Sequence, residues 1–97
     1  MEQIMDNEQE RIEKERVIKA FFRDGRLIQI PAKMKKRIIA YKIILDKFEY
    51  DRDYPESEVN EIIGSICDDF CTVRRVFVDA RWMTRASGVY RRVKTEE

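Results

Sequence analysis

Asp69–Val93, DFCTVRRVFVDARWMTRASGVYRRV, decides how the rest of the chain is read. Asp69 suits an N-cap, because its carboxylate can accept from the unpaired amides of a first helical turn. No Gly or Pro interrupts the following residues as far as Trp82, and Phe70, Val73, Phe77 and Ala80 recur at helical spacing. From Met83 the period changes. Val89 and Val93 flank Tyr90, Ala86-Ser87-Gly88 supplies turn residues, and Arg85, Arg91 and Arg92 decorate the arms of a hairpin. A helix running into a basic hairpin is how a winged helix-turn-helix ends, and such domains bind duplex DNA with the helix in the major groove.

On a wheel at about 100° per residue, Phe70, Val73, Val76, Phe77 and Ala80 share the core arc. Thr72, Arg75 and Asp79 lie opposite and form the groove-facing set. Arg75 has the fork to bond guanine O6 and N7. Arg74 and Arg81 fall at the edge of the core arc. Arg74 is read as structural, paired with an acid of segment 56–69, since a partly buried arginine is seldom without a carboxylate.

Working outward, Pro55-Glu56-Ser57-Glu58 opens a preceding helix with acids at its positive end, and Val59, Ile62, Ile63 and Ile66 give it a core face. Gly64 sits inside that pattern, and Cys67-Asp68 makes the turn into the reading helix. Glu49–Tyr54 reads as an acidic loop or short edge strand. Before it, IPAKMKKRIIAYKIILDKF is a helix with Pro31 at its first position. Met34, Ile38, Tyr41, Ile44, Leu45 and Phe48 form one apolar face, and Ile39 and Ile43 point elsewhere. Its opening turns hold Lys33, Lys35, Lys36 and Arg37, cations at the end where the helix dipole repels them. A polyanion would offset that penalty, so these four are expected to contact phosphates. Arg26–Ile30, RLIQI, is expected to be a strand that completes a three-stranded sheet with the later hairpin. Residues 2–23 read as a charged helix anchored only near Val17, Ile18, Phe21 and Phe22, with Gly25 as its C′ residue. Ile4, Met5, Ile12 and Ile18 are a thin seam through which a second copy could dimerise.

Ninety-seven residues, 43% hydrophobic and 40% charged, make one small domain above the disordered range. No apolar run approaches the roughly 20 residues needed to cross a bilayer, and the polar start MEQIMDNEQE is no secretory signal. With two cysteines this points to the cytoplasm. The net charge of +1 conceals segregation: −3 over residues 1–16, +7 over 17–48, −7 over 49–69 and +4 over 70–97. There is no histidine, which removes the commonest general base and metal ligand. Cys67 and Cys71 alone make an incomplete metal site, and they are read as structural thiols. No glycine-rich phosphate loop or nucleophile–base pair appears, so neither enzyme activity nor a cofactor is expected.

The blocks FFRDGRLIQIPAKMKKRI, FEYDRDYPESEVNEII, DDFCTVRRVFVD and MTRASGVYRR, in this order over residues 21–92, together resemble the family catalogued as domain of unknown function 2087. The resemblance implies a bacterial protein, stand-alone or fused behind ArsR-type winged-helix regulators, and hence a role in transcription. Its hallmark positions fall here on Pro31, Lys33, Lys36, Tyr54, Glu58, Val59, Asn60, Asp69, Arg74, Arg75, Arg85 and Tyr90. A preceding regulator domain is replaced by the charged helix 1–20, which counts against metal sensing.

The expectation is therefore a mainly α chain with a small β hairpin or sheet. It comprises a charged lead-in helix (1–20), a winged helix-turn-helix domain (21–93) and a short tail (94–97). Duplex DNA is the expected partner, gripped by Lys33, Lys35, Lys36, Arg37, Arg85, Arg91 and Arg92 and read by Thr72 and Arg75. The reading supposes that these cations share one surface. The alternative is a protein-interaction module on the same scaffold, with the acidic helix as its contact face.

Overall fold

The structure, a computed structural model, describes the backbone of residues 2–94 and the side chains of residues 8–94. Residues 95–97 of the expected tail, and the side chains of Ile4 and Met5 in the dimer seam, lie outside the described residues. Elements follow in the order α1 (Glu2–Phe21), β1 (Phe22–Arg23), β2 (Arg26–Leu27), α2 (Met34–Leu45), β3 (Asp53–Pro55), α3 (Glu56–Gly64), α4 (Phe70–Asp79), β4 (Met83–Ala86) and β5 (Val89–Arg92). The fold is mainly helical with two small antiparallel sheets. Among the described residues no helix is long and apolar enough to cross a membrane. By compactness the chain divides into two units, Met1–Ile43 and Ile44–Glu97.

In the first unit, α1 is polar almost throughout and anchors where its apolar residues finally cluster. Val17 is buried, Phe21 is half-buried, and Ile12 and Ile18 remain exposed. The helix ends at Phe21 instead of running to Gly25, because the chain turns at once into the β1–β2 hairpin. Asp24 and Gly25 both take positive φ, 54° and 80°, as a tight two-residue hairpin turn requires. Gly25 is thus a turn residue and not a helix terminator. The same hairpin overturns the expected role of Arg26–Ile30: only Arg26 and Leu27 are strand, and they pair with Phe22–Arg23, not with the C-terminal hairpin. α2 starts at Met34, three residues after Pro31, which is buried in the preceding loop. The apolar face foreseen for this helix is buried only in its later turns. Tyr41 is 5% exposed, whereas Met34 is 65% and Ile38 38% exposed.

In the second unit a helix pair links two strands of one sheet. β3 and β4 both pair antiparallel with β5, so the sheet order is β3-β5-β4. Its register sets Tyr54 opposite Tyr90 and Asp53 opposite Arg91. Between β3 and β4 the chain runs through α3 and α4. The wheel is borne out at Val73 and Phe77, both fully buried, and at Thr72, Arg75 and Asp79, all exposed; Ala80 is exposed and lies just past the helix. Asp69 caps α4 by accepting from the Thr72 amide. Gly64 is the last residue of α3, and a Cβ there would meet Phe70 at an ordinary 3.7 Å, so no close approach demands it. Phe48 meets Tyr54 edge-on at 4.9 Å and Phe77 at 6.1 Å between ring centroids, tying the segment after α2 to β3 and α4. The buried Tyr54 hydroxyl accepts from the Glu49 amide at 2.8 Å, so this core phenol is not left unpaired.

α4 ends earlier than the sequence pattern indicates, and by a definite device. The Trp82 amide donates to the Phe77 carbonyl at 2.8 Å and the Arg81 amide to the Val78 carbonyl at 3.0 Å. The Phe77 and Trp82 rings approach to 6.1 Å. This is the Schellman pattern with its hydrophobic contact, and it puts the C′ residue in the left-handed region. That residue is Arg81, with φ 64°. A side chain there costs about 1 kcal/mol relative to glycine. Arg81→Gly is therefore expected to stabilise the fold by about 0.5–1 kcal/mol, raising Tm by roughly 2–8 °C for a chain of this size. Thermal unfolding followed by circular dichroism measures this.

Candidate nucleic-acid interface

The outward face of α4 carries Thr72, Arg75 and Asp79, held exposed by the burial of Val73 and Phe77 on the other side. Arg75 forms no ion pair among the described residues. Arg74, one residue earlier, points inward instead. Its side chain is 21% exposed, donates to Asn60 Oδ1 and stands 3.6 Å from Glu56. The inference that Arg74 would pair with an acid of segment 56–69 is borne out.

Glu56 sits where four elements meet. It begins α3 directly after β3, and its amide donates to the Gly88 carbonyl of the β4–β5 turn at 3.0 Å. Its carboxylate accepts from the Tyr90 hydroxyl at 3.3 Å and lies 3.9 Å from Arg85 of β4. Tyr90 is almost fully buried, and burial pushes its phenol above its ordinary pKa of 10.0; the Glu56 carboxylate pushes the same way, while Arg74 and Arg85 pull it down. A folded pKa above the unfolded one means that this contribution to stability is complete below pH 10 and is lost as pH rises through the folded value.

The hairpin arginines divide by occupation. Arg85 is exposed, with its guanidinium 5.9 Å from the Tyr90 ring. Arg91 is exposed and bonded at 3.0 Å to Asp53, its register partner on β3. Arg92 is engaged inside the unit: its side chain is 14% exposed, donates to the Phe48 carbonyl at 3.0 Å and to Asp46 at 3.1 Å, and lies over the Tyr50 ring. Such a guanidinium has few donors left for a partner.

The acids of segment 49–69 are largely taken up within their own unit. Besides Glu56 and Asp53, Glu58 holds Arg52 at 2.7 Å, Asp51 reaches Lys94 at 3.3 Å, and Asp69 caps α4. Arg52 also lies over the Tyr54 ring at 4.5 Å. Even so, residues 44–97 carry nine basic and twelve acidic groups, a formal −3, against eleven and seven, +4, in residues 1–43. Cys67 is buried and Cys71 exposed, and neither forms a disulfide.

In the first unit, Lys33 and Lys36 are exposed and form no ion pair among the described residues. Lys35 pairs with Glu13 at 3.6 Å. Arg37 is half-buried and folds back to the Ala32 carbonyl at 3.4 Å. Of the four cations around the start of α2, two are thus uncommitted.

These features define a small mixed domain: a helix pair that links two strands of a three-stranded antiparallel sheet, with one helix presenting a polar face. A family model described as an uncharacterized protein conserved in bacteria, DUF2087, matches residues 26–92, and the chain belongs to that family. No curated protein and no solved structure matches the chain.

Glu56→Gln tests the four-way junction. With the carboxylate gone, two arginines act on the phenol uncompensated, so the Tyr90 pKa is expected to fall, as read from tyrosinate absorbance in an alkaline titration. Chemical denaturation should register a loss of about 1 kcal/mol, since the pairs involved are partly solvated.

Proposed function

We propose that this chain is a small cytoplasmic DNA-binding regulator on a winged helix-turn-helix scaffold. The observation that carries the reading is the strand order β3-β5-β4 around the α3–α4 pair, combined with the outward Thr72–Arg75–Asp79 face of α4. A winged helix-turn-helix offers its second motif helix to the major groove and its hairpin to the adjacent backbone. On this reading Arg75 and Thr72 contact base edges. Lys33, Lys36, Arg85 and Arg91 meet phosphates, the last two by exchanging a surface carboxylate for a phosphate oxygen. The exposed bonds they would give up are worth little, so the exchange is inexpensive. Arg92 drops out of the expected contact set because its side chain is 14% exposed and bonded to the Phe48 carbonyl and Asp46, whereas Lys35 and Arg37 hold only weak exposed bonds and stay in it. A second copy would cover the exposed Ile12 and Ile18 of α1.

A second reading, a protein-interaction module, draws on the −3 balance of residues 44–97, which disfavours a polyanion on that unit. Fluorescence anisotropy on random duplexes at several salt concentrations separates the two. The DNA reading expects binding whose logarithm falls linearly with log salt, with a slope of about −0.9 per phosphate contacted. Lys36→Ala should weaken all duplexes alike and reduce that slope by about one unit, whereas Arg75→Ala should cost about 1–3 kcal/mol at a preferred site and level the preference among sequences. No duplex affinity at low salt would leave the protein-partner reading in possession.

A further inference from the structure

We propose that the first unit holds a binding site for a small amphipathic carboxylate, a ligand with one anionic head and a short apolar tail. A partly enclosed cavity of about 140 Å³ lies between α1 and the start of α2. Its floor is apolar, made by Val17, Ala20, Phe21 and Ile39. Its lip is cationic: Arg16, Lys35 and Lys36 stand against a single carboxylate, Glu13. Glu13 is already matched to Lys35 at 3.6 Å. Arg16 and Lys36 form no ion pair among the described residues, so the lip carries two uncompensated positive charges beside a greasy floor. That pairing of surfaces selects the ligand class. A neutral hydrocarbon would leave the cations unused, and a small inorganic anion would leave the floor wet.

The volume bounds the tail. At about 30 Å³ per water-sized group, the cavity takes roughly five methylene or methyl groups. Each methylene moved from water to the floor improves affinity about fourfold, and the head gains charge-assisted bonds at the lip. The site lies wholly within residues 1–43 and does not depend on the DNA reading.

Hexanoate is the probe, titrated into the 15N-labelled full chain, with hexanol and acetate as controls lacking head and tail respectively. The expected result is saturable shifts at Val17, Ala20 and Ile39 amides, with a dissociation constant on the order of 1 mM. Hexanol and acetate should each bind at least about tenfold more weakly, since each forgoes one of the two contributions. Ala20→Phe, an exposed position whose new ring fills the floor, should abolish the shifts. Arg16→Gln with Lys36→Gln should weaken hexanoate about tenfold but leave hexanol unchanged. The same spectra report whether each variant is folded. Hexanol binding as tightly as hexanoate, a folded Ala20→Phe variant binding like the parent, or no saturable shift with hexanoate would each overturn the assignment.

Discussion

The pairing of β3 with β5 is the constraint on which the second unit depends. It sets Tyr54 beside Tyr90 across thirty-six residues of chain, and both rings are buried. Closing so long a loop has an entropic cost that local helix formation does not meet. Burial of Tyr54 against Phe48, with its hydroxyl satisfied by the Glu49 amide, offsets that cost. Once β3 is fixed, α3 has to begin at Glu56, next to the β4–β5 turn. The two helices then link β3 to β4 along the chain, with Val73 and Phe77 of α4 buried and Thr72, Arg75 and Asp79 left to solvent.

The same closure decides the electrostatics. Glu56 would be one acid among eight in an acidic run if the segment stood alone. Placed at the junction, it is shared by Arg74, Arg85 and the Tyr90 hydroxyl. Within the segment that is most acidic in the sequence, Glu56 and Asp53 are engaged by arginines of the C-terminal third, while Glu58 meets Arg52 and Asp51 meets Lys94. What remains for a partner is a short set: Arg75 with Thr72 on α4, and Arg85 and Arg91 behind weak surface pairs. A protein that spends its charges internally offers selectivity by position, with little long-range attraction.

The first unit has a different economy of charge. Its cations outnumber its acids, and Lys33, Lys36 and Arg16 stand without ion pairs among the described residues. Some of that positive charge borders an apolar hollow. The two units thus present unlike chemistries, one a patterned helix face and the other a cationic hollow.

Much of α4 was legible because its signals act over a few residues. Asp69 as N-cap, the burial of Val73 and Phe77, the exposure of Thr72, Arg75 and Asp79, and the Ser87-Gly88 hairpin turn all follow from caps, periodicity and turn chemistry. Arg74's carboxylate partner was legible as well, since its position on the wheel demanded one. What the tertiary structure alone decided was every choice between distant segments. Asp53–Pro55 is three residues long and ends in proline, too weak a pattern to outbid RLIQI as the third strand, yet it holds the place because it can bury Tyr54. The stop at Asp79, with Arg81 in a glycine-like conformation, depends on Trp82 packing back on Phe77, and no local rule forecasts it. Nor could the residues announce the hollow between α1 and α2, because a cavity belongs to no single stretch of chain. Local order is written residue by residue; strand partners, shared acids and cavities are settled by which surfaces can be buried together.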